Sequence, residues 1–261
     1  MSSAKQRFLA ATAMLLMVGH APAHSPYLLP NQFDVSERDH VSVQASFTEK
    51  FFIPDVAMKA TGYHVTQPDG HDVALVPVYT KDLGVLDVET VQPGSYRISS
   101  GIREGRTAKA TIADGEWKFL REGDIATAAG LVYDIKSITR AEVYVSRGTP
   151  TDAVLAPRNK GLEFQMLTHP NKLLAGGELR FKVLYDGRPL ARQQVSLQRA
   201  LSDNGDAPAA ATAMSAADGA VSLRIIDPGI YHAMLRYRFT VPGTEARAES
   251  HTYALTLEAT E

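Results

Sequence analysis

Histidine is the residue type in this chain with the most chemistry to offer. The sequence holds eight histidines and no cysteine, which removes thiolate nucleophiles, thiolate metal sites and disulfides together. His24 stands out through its place in "APAHSPYLLP", residues 21–30. Ala21 and Ala23 form a small-x-small cleavage pattern, so a cut after Ala23 makes His24 the first residue of the mature protein. An amino-terminal histidine presents its α-amine and its ring Nδ1 to one metal as a bidentate chelate. Those groups ionise near ~7.7–8.0 and ~6.5, so protons compete only modestly at neutral pH. Imidazole suits nickel, copper and zinc, and nitrogen donors favour copper(II) in raw affinity. Position three of the mature chain is Pro26, which has no amide proton to surrender to a metal. A frayed terminus with no ligand is the plain alternative.

The internal histidines are scattered. His64 and His71 flank "PDG" (68–70), and a hairpin can bring such residues together across its strands. Surface histidines beside a turn are the plainer reading. His232 reads as a satisfied sheet histidine, and His40 has no partner in view. The sequence contains no GxSxG, HExxH, GxxxxGK[ST] or GxGxxG motif and no calcium-loop pattern. No catalysis is therefore expected, although a constellation of distant residues leaves no local motif.

The elements that must position these residues are strands. "VSVQASF" (41–47) alternates strictly, with Val41, Val43, Ala45 and Phe47 on one face. "YHVTQ" (63–67) and "VALVPVY" (73–79) flank the Pro-Asp-Gly turn. "LRFKVLY" (179–185), "QVSLQRA" (194–200), "AVSLRII" (220–226), "IYHAMLRYRF" (230–239) and "SHTYALTLEA" (250–259) continue the pattern. Only Gly115 to Leu131 has the composition for a short helix, which Gly123 interrupts.

"GVLDVETVQPGSYRI" (84–98) aligns without gaps on "GAVSLRIIDPGIYHA" (219–233), each a turn, a strand, a Pro-Gly corner and a second strand. The expectation is an all-β chain of two tandem Ig-like β-sandwich domains behind a signal peptide. The leader is residues 1–23, with Lys5 and Arg7 before the apolar run Phe8–Val18. That run is too short to span a bilayer. The amino-terminal sandwich covers 24–157 and the carboxy-terminal one, of carboxypeptidase-regulatory-like type, covers 158–261. The boundary falls in "SRGTPTDAVLAPRNKG" (146–161), and the Ala-rich 202–219 segment reads as a long hairpin loop.

A formal charge of −2, made more negative by loss of Lys5 and Arg7, gives no basic block for nucleic acid. An exported chain without disulfides fits a bacterial periplasm, where it is soluble once the leader is removed.

Several segments resemble the DUF4198 family. "AHSPYLLP" (23–30) is similar to its Ala-His start, and "GLEFQMLTHPNKLLAGGELRFKVLYDGRPLARQQVSL" (161–197) to its most recognisable stretch. "ADGAVSLRIIDPGIYHAML" (217–235) and "SHTYALTLE" (250–258) fit as well. Ser25-Pro26-Tyr27 departs from the usual residues after the first histidine. The family is similar to periplasmic components associated with cobalt and nickel uptake. The resemblance implies export, a β-sandwich architecture and transition-metal handling, and it supports His24 and His169 of "THPN". His169 has an equal reading as a hydrogen-bonded brace before Pro170.

The expected function is capture of nickel, cobalt or copper for a membrane importer or outer-membrane receptor. His24 leads the ligand set, His169 follows, and His64, His71 or His251 approach from a sheet edge. The alternatives are a non-catalytic adaptor of tandem Ig-like domains and, more remotely, a copper oxidase built on an N-terminal histidine brace.

Overall fold

A computed structural model describes residues 24–125, 130–200 and 211–261. The leader lies outside them, as does the start of the Ala-rich segment expected as a loop. The first half runs β1 (Ser25–Pro30), β2 (His40–Thr48), β3 (Val56–Ala57), β4 (His64–Thr66), β5 (Asp72–Ala74) and β6 (Val78–Tyr79). It continues with β7 (Gly84–Glu89), β8 (Gly94–Ser99), β9 (Arg103–Ala113), β10 (Glu116–Phe119), the single turn α1 (Glu122–Ile125) and β11 (Val132–Arg147). The second half runs β12 (Leu162–Met166), β13 (Glu178–Tyr185), β14 (Arg188–Pro189), β15 (Gln194–Arg199) and β16 (Ala211–Met214). It ends with β17 (Ala220–Arg224), β18 (Gly229–Thr240) and β19 (Arg247–Ala259).

The architecture is two Ig-like sandwiches, each packing a small sheet against one large sheet. In the first, the β1-β2-β7-β6 sheet sets Leu28, Val41, Val43 and Leu86 against Tyr96, Ile98, Val143 and Val145. In the second, the sheet of β12, β13, β14 and β17 sets Phe164, Phe181 and Leu223 against Val195, Leu235 and Leu257. Phe164 stacks on Phe181 at 4.2 Å between ring centroids.

The large sheet runs through both sandwiches in the order β16-β15-β18-β19-β11-β8-β4-β5. Its seam is a parallel pairing of β11 with β19, from Asp134↔Arg247 to Val143↔Thr256. Hydrogen-bonded sheet thus continues across the junction expected near 157.

The internal echo is a structural repeat. Gly94 and Gly229 open the second strand of each copy at φ of 124° and 140°, where a Cβ is strained. The Tyr96 hydroxyl donates to the Gln92 carbonyl at 2.7 Å, and the Tyr231 hydroxyl to the Asp227 carbonyl at 2.7 Å. Both bonds reach four residues back, as a tyrosine corner does in immunoglobulin-type domains.

The expected helix is mostly strand. Asp114 and Gly115 take φ of 56° and 78°, the geometry of a two-residue hairpin turn. That turn folds Glu116–Phe119 back onto Ala110–Ala113 as β10 and leaves only Glu122–Ile125 helical. Alternation in β2 also changes at its end: Ser46 and Thr48 are buried, whereas Phe47 is half-buried. The Ser46 hydroxyl bonds the Asp82 carbonyl at 2.6 Å, so a polar side chain is satisfied at a core position.

Candidate ligand groove at the amino end

Parallel pairing of β11 with β19 sets hydroxyls side by side. Ser137 lies opposite Ser250 and Thr139 opposite Thr252. On the other flank of β19, Arg238 pairs with Ser250 and Arg236 with Thr252. Side chains two residues apart share a face, so each rung carries an arginine followed by two hydroxyls. β9 closes the far side. Its register slips between Lys136 and Ile138, and Arg106 enters at that irregularity. The result is a cavity of about 150 Å³ whose lining includes Arg106, Ser137, Arg236, Arg238 and the aromatic rings of Phe47 and Phe119.

These arginines are short of partners. Arg236 Nε donates to Thr252 Oγ1 and Arg238 Nε to Ser250 Oγ, each at 3.2 Å. Among the described residues their Nη groups make no hydrogen bond and no carboxylate pairs with either. Burial, and then the like charge of Arg238, push Arg236 down to about 10. Burial also lowers Arg238, while the charge of Glu116 works the other way. Both remain cations at neutral pH. The Arg238 guanidinium lies 5.4 Å from the Phe119 ring centroid, a cation–π distance.

His24 and Pro26 of the amino-terminal strand form the mouth of this groove. His24 Nε2 stands 3.6 Å from Glu49 Oε1 and 4.0 Å from Asp55 Oδ2, with all three side chains well exposed. Asp55 is held in place by the Glu49 backbone N–H, which donates to Oδ2 at 2.6 Å. The strand itself is fastened by His232, whose Nε2–H donates to the Pro26 carbonyl at 2.9 Å. His232 is fully buried under Phe51, 4.2 Å between centroids, and burial pushes it down to about 4, so it is neutral.

The remaining histidines do not gather around His24. The β4–β5 register pairs His64 with Ala74 and Thr66 with Asp72. His71 therefore faces Gln67 at the turn, three residues or ~10 Å along the strand from His64. His64 Nδ1 bonds the Gly62 carbonyl at 2.8 Å, and the exposed His71 leans on Asp69 at 3.3 Å. His169 is buried and both its nitrogens are engaged. Nδ1 accepts the Asn171 N–H at 3.1 Å, and Nε2 lies 3.1 Å from the Thr151 carbonyl and 3.0 Å from Ser95 Oγ. It caps the 3₁₀ turn Pro170–Lys172 as the brace reading expects. His251 points to the opposite face of the sheet, bonded to Glu249 at 2.7 Å and stacked on Phe239. Among the described residues no three histidine, aspartate or glutamate side chains already form a metal-holding group.

A second set of buried charges lies at the junction and is fully partnered. Arg97 Nη2 donates to Glu142 Oε2 at 2.6 Å and its Nε to the same oxygen at 3.0 Å. Ser99 and Tyr253 also donate to Glu142. Glu163 accepts the Arg158 and Asn159 backbone N–H groups at 2.8 and 2.6 Å and stands 3.7 Å from both Arg97 and Arg140. Burial alone would raise Glu142, but Arg97 and then Arg140 hold it down at about 2. Two cations and two anions thus tie β8, β11 and β12 together.

Reasoning centred on histidine missed the arginine wall. Its trace in the sequence is "LRYRF" (235–239), where arginines alternate inside an otherwise apolar strand, beside the Ser-x-Thr of "SIT" (137–139) and "SHT" (250–252).

The fold places this chain among all-β proteins built of Ig-like sandwiches. Residues 21–238 match the model of a domain of unknown function, DUF4198. The chain belongs to that family. No curated protein matches it. Among solved structures it is similar to the D0-D1 domain of intimin, at 12% identity over 90% of this chain and 97% of that one, with a TM-score of 0.23. A tetra-tandem repeat from the extending region of a large adhesion protein matches at 13% identity, covering 91% and 49%, with a TM-score of 0.24. A marsupial T cell receptor matches at 12%, covering 91% and 72%, with a TM-score of 0.23.

Proposed function

We propose that this protein is a non-catalytic, exported metal-binding protein of the periplasm that holds nickel, cobalt or copper at its processed amino terminus. The observation that carries this reading is the setting of His24. Its Nε2 faces Glu49 and Asp55, while its Nδ1 makes no hydrogen bond among the described residues. A metal-bound histidine commonly turns its second ring nitrogen to a carboxylate, which fixes the tautomer and orients the ring. Nδ1 and the α-amine freed by cleavage after Ala23 would be the ligands, and the bound ion would be cargo. Without thiolates such a site exchanges its metal readily, as a carrier serving a membrane importer or outer-membrane receptor must.

The test is calorimetric titration of the chain beginning at His24 with Ni(II), Co(II) and Cu(II). A chain with one residue ahead of His24 is the control. The reading expects binding in the first and its loss in the second. Equal binding by both, or by neither, contradicts it.

The adaptor reading is supported by the exposed Val76 and Val78 at the β6 edge, where a second chain could add a strand. It expects indifference to metal.

A further inference from the structure

We infer that the groove below His24 is an anion-binding site for a small oxyanion, either inorganic phosphate or sulfate or the carboxylate of a small acid. Arg236 and Arg238 spend only their Nε hydrogens on the protein, on Thr252 and Ser250. Their Nη ends face the cavity that Arg106 also lines. A guanidinium fork matches the paired oxygens of a carboxylate or phosphate, and such charge-assisted bonds are the strong ones.

The hydroxyls of Ser137 and Thr139 continue the rungs and can donate to an oxyanion as well. The nearest carboxylates do not neutralise the wall: Glu49 and Asp55 are turned to His24 at the mouth, and Glu116 acts on Arg238 without ion-pair contact. A half-buried pair of like charges two residues apart is costly unless something negative joins them.

Size narrows the class. About 150 Å³ is well below the ~300–1,000 Å³ of pockets for drug-sized ligands. Phe47 and Phe119 leave room for a short apolar body beside the charge. The inference stands apart from the metal reading, because none of its groups is a proposed metal ligand.

The experiment is calorimetric titration of the processed chain with phosphate, sulfate and malonate in turn, at low ionic strength and with a chelator present. Binding of at least one probe is expected, weakened ~10-fold or more in Arg236→Gln and in Arg106→Ala. The tightest probe separates an inorganic anion from a carboxylate. Arg106 is exposed on β9, so its variant folds even if changes at Arg236 disturb the sheet. Failure of all three probes to bind, or unchanged binding in both variants, overturns the inference. Neither result bears on metal binding, which the chelator removes from the measurement.

Discussion

The molecule buries arginines in two places, and it treats them differently. At the junction, Arg97 and Arg140 stand among Glu142, Glu163, Tyr253 and the carbonyls of Ala156 and Lys160, and the charges balance. In the groove, Arg236 and Arg238 have hydroxyls, an aromatic face and each other. A balanced network holds strands together, and removing one member strands its partner in low dielectric. An unbalanced one adds little to the fold and makes sense as a surface waiting for an anion. The difference teaches that burial of a charge is not by itself a sign of function; an unused donor aimed at a cavity is a stronger one.

The largest effect should come from breaking the junction. Glu142→Gln leaves Arg97 charged and buried beside a neutral amide, a loss of about 3–5 kcal/mol that urea unfolding would measure. Glu142 is held at about 2 against an ordinary 4.5, so its contribution is complete above pH 4.5 and disappears as pH falls toward 2. A loss under about 1 kcal/mol would erase the contrast, because exposed ion pairs are worth that little.

His232 sharpens the comparison at the groove's own anchor. It is pushed down to about 4 from an ordinary 6.5, so the unfolded chain takes up its proton first as pH falls. Stability should therefore drop by roughly 3 kcal/mol between pH 6.5 and 4 and change little from this group above that range. Unfolding of His232→Phe across the same range should show a flatter slope, and an identical slope would place the sensitivity elsewhere.

Arg236→Met should behave opposite to the junction variant. With a desolvated, uncompensated cation replaced by an apolar chain, the melting temperature should hold or rise, on the order of 2–4 °C per kcal/mol gained. A large fall would mean that the groove arginines are structural after all. The smallest effect should be that of Glu49→Gln, which breaks only an exposed contact to His24 and should cost under about 1 kcal/mol. Metal titration of the same variant should nevertheless show ~10–100-fold weaker binding if the carboxylate orients His24.

Much of the fold was legible in the sequence. The alternating strands, the Pro-Asp-Gly turn and the paired Pro-Gly-x-Tyr corners are local signals, and the corner tyrosines fold as their repeat implies. The Gly115–Leu131 stretch misled because an Asp-Gly hairpin turn outweighs helical composition. The groove was not legible, since it depends on a parallel pairing between strands more than a hundred residues apart in sequence, Ser137 with Ser250. No local motif encodes that register. The histidines misled in the other direction: His64 and His71 are close in sequence, yet the turn separates them, and His169 is a cap whose nitrogens are both in use.

The account rests most heavily on the claim that the groove arginines await an anion. Its most direct test is the melting temperature of the processed chain and of the Arg236→Gln, Arg238→Gln double variant, in phosphate, in malonate and in sodium chloride at matched ionic strength. A ligand that binds only the folded state stabilises by ~2.7 kcal/mol at a hundred times its dissociation constant. Phosphate or malonate should raise the melting temperature of the native chain above its value in chloride and leave that of the double variant where chloride puts it. Equal shifts in both proteins, or no shift in either, would contradict the account.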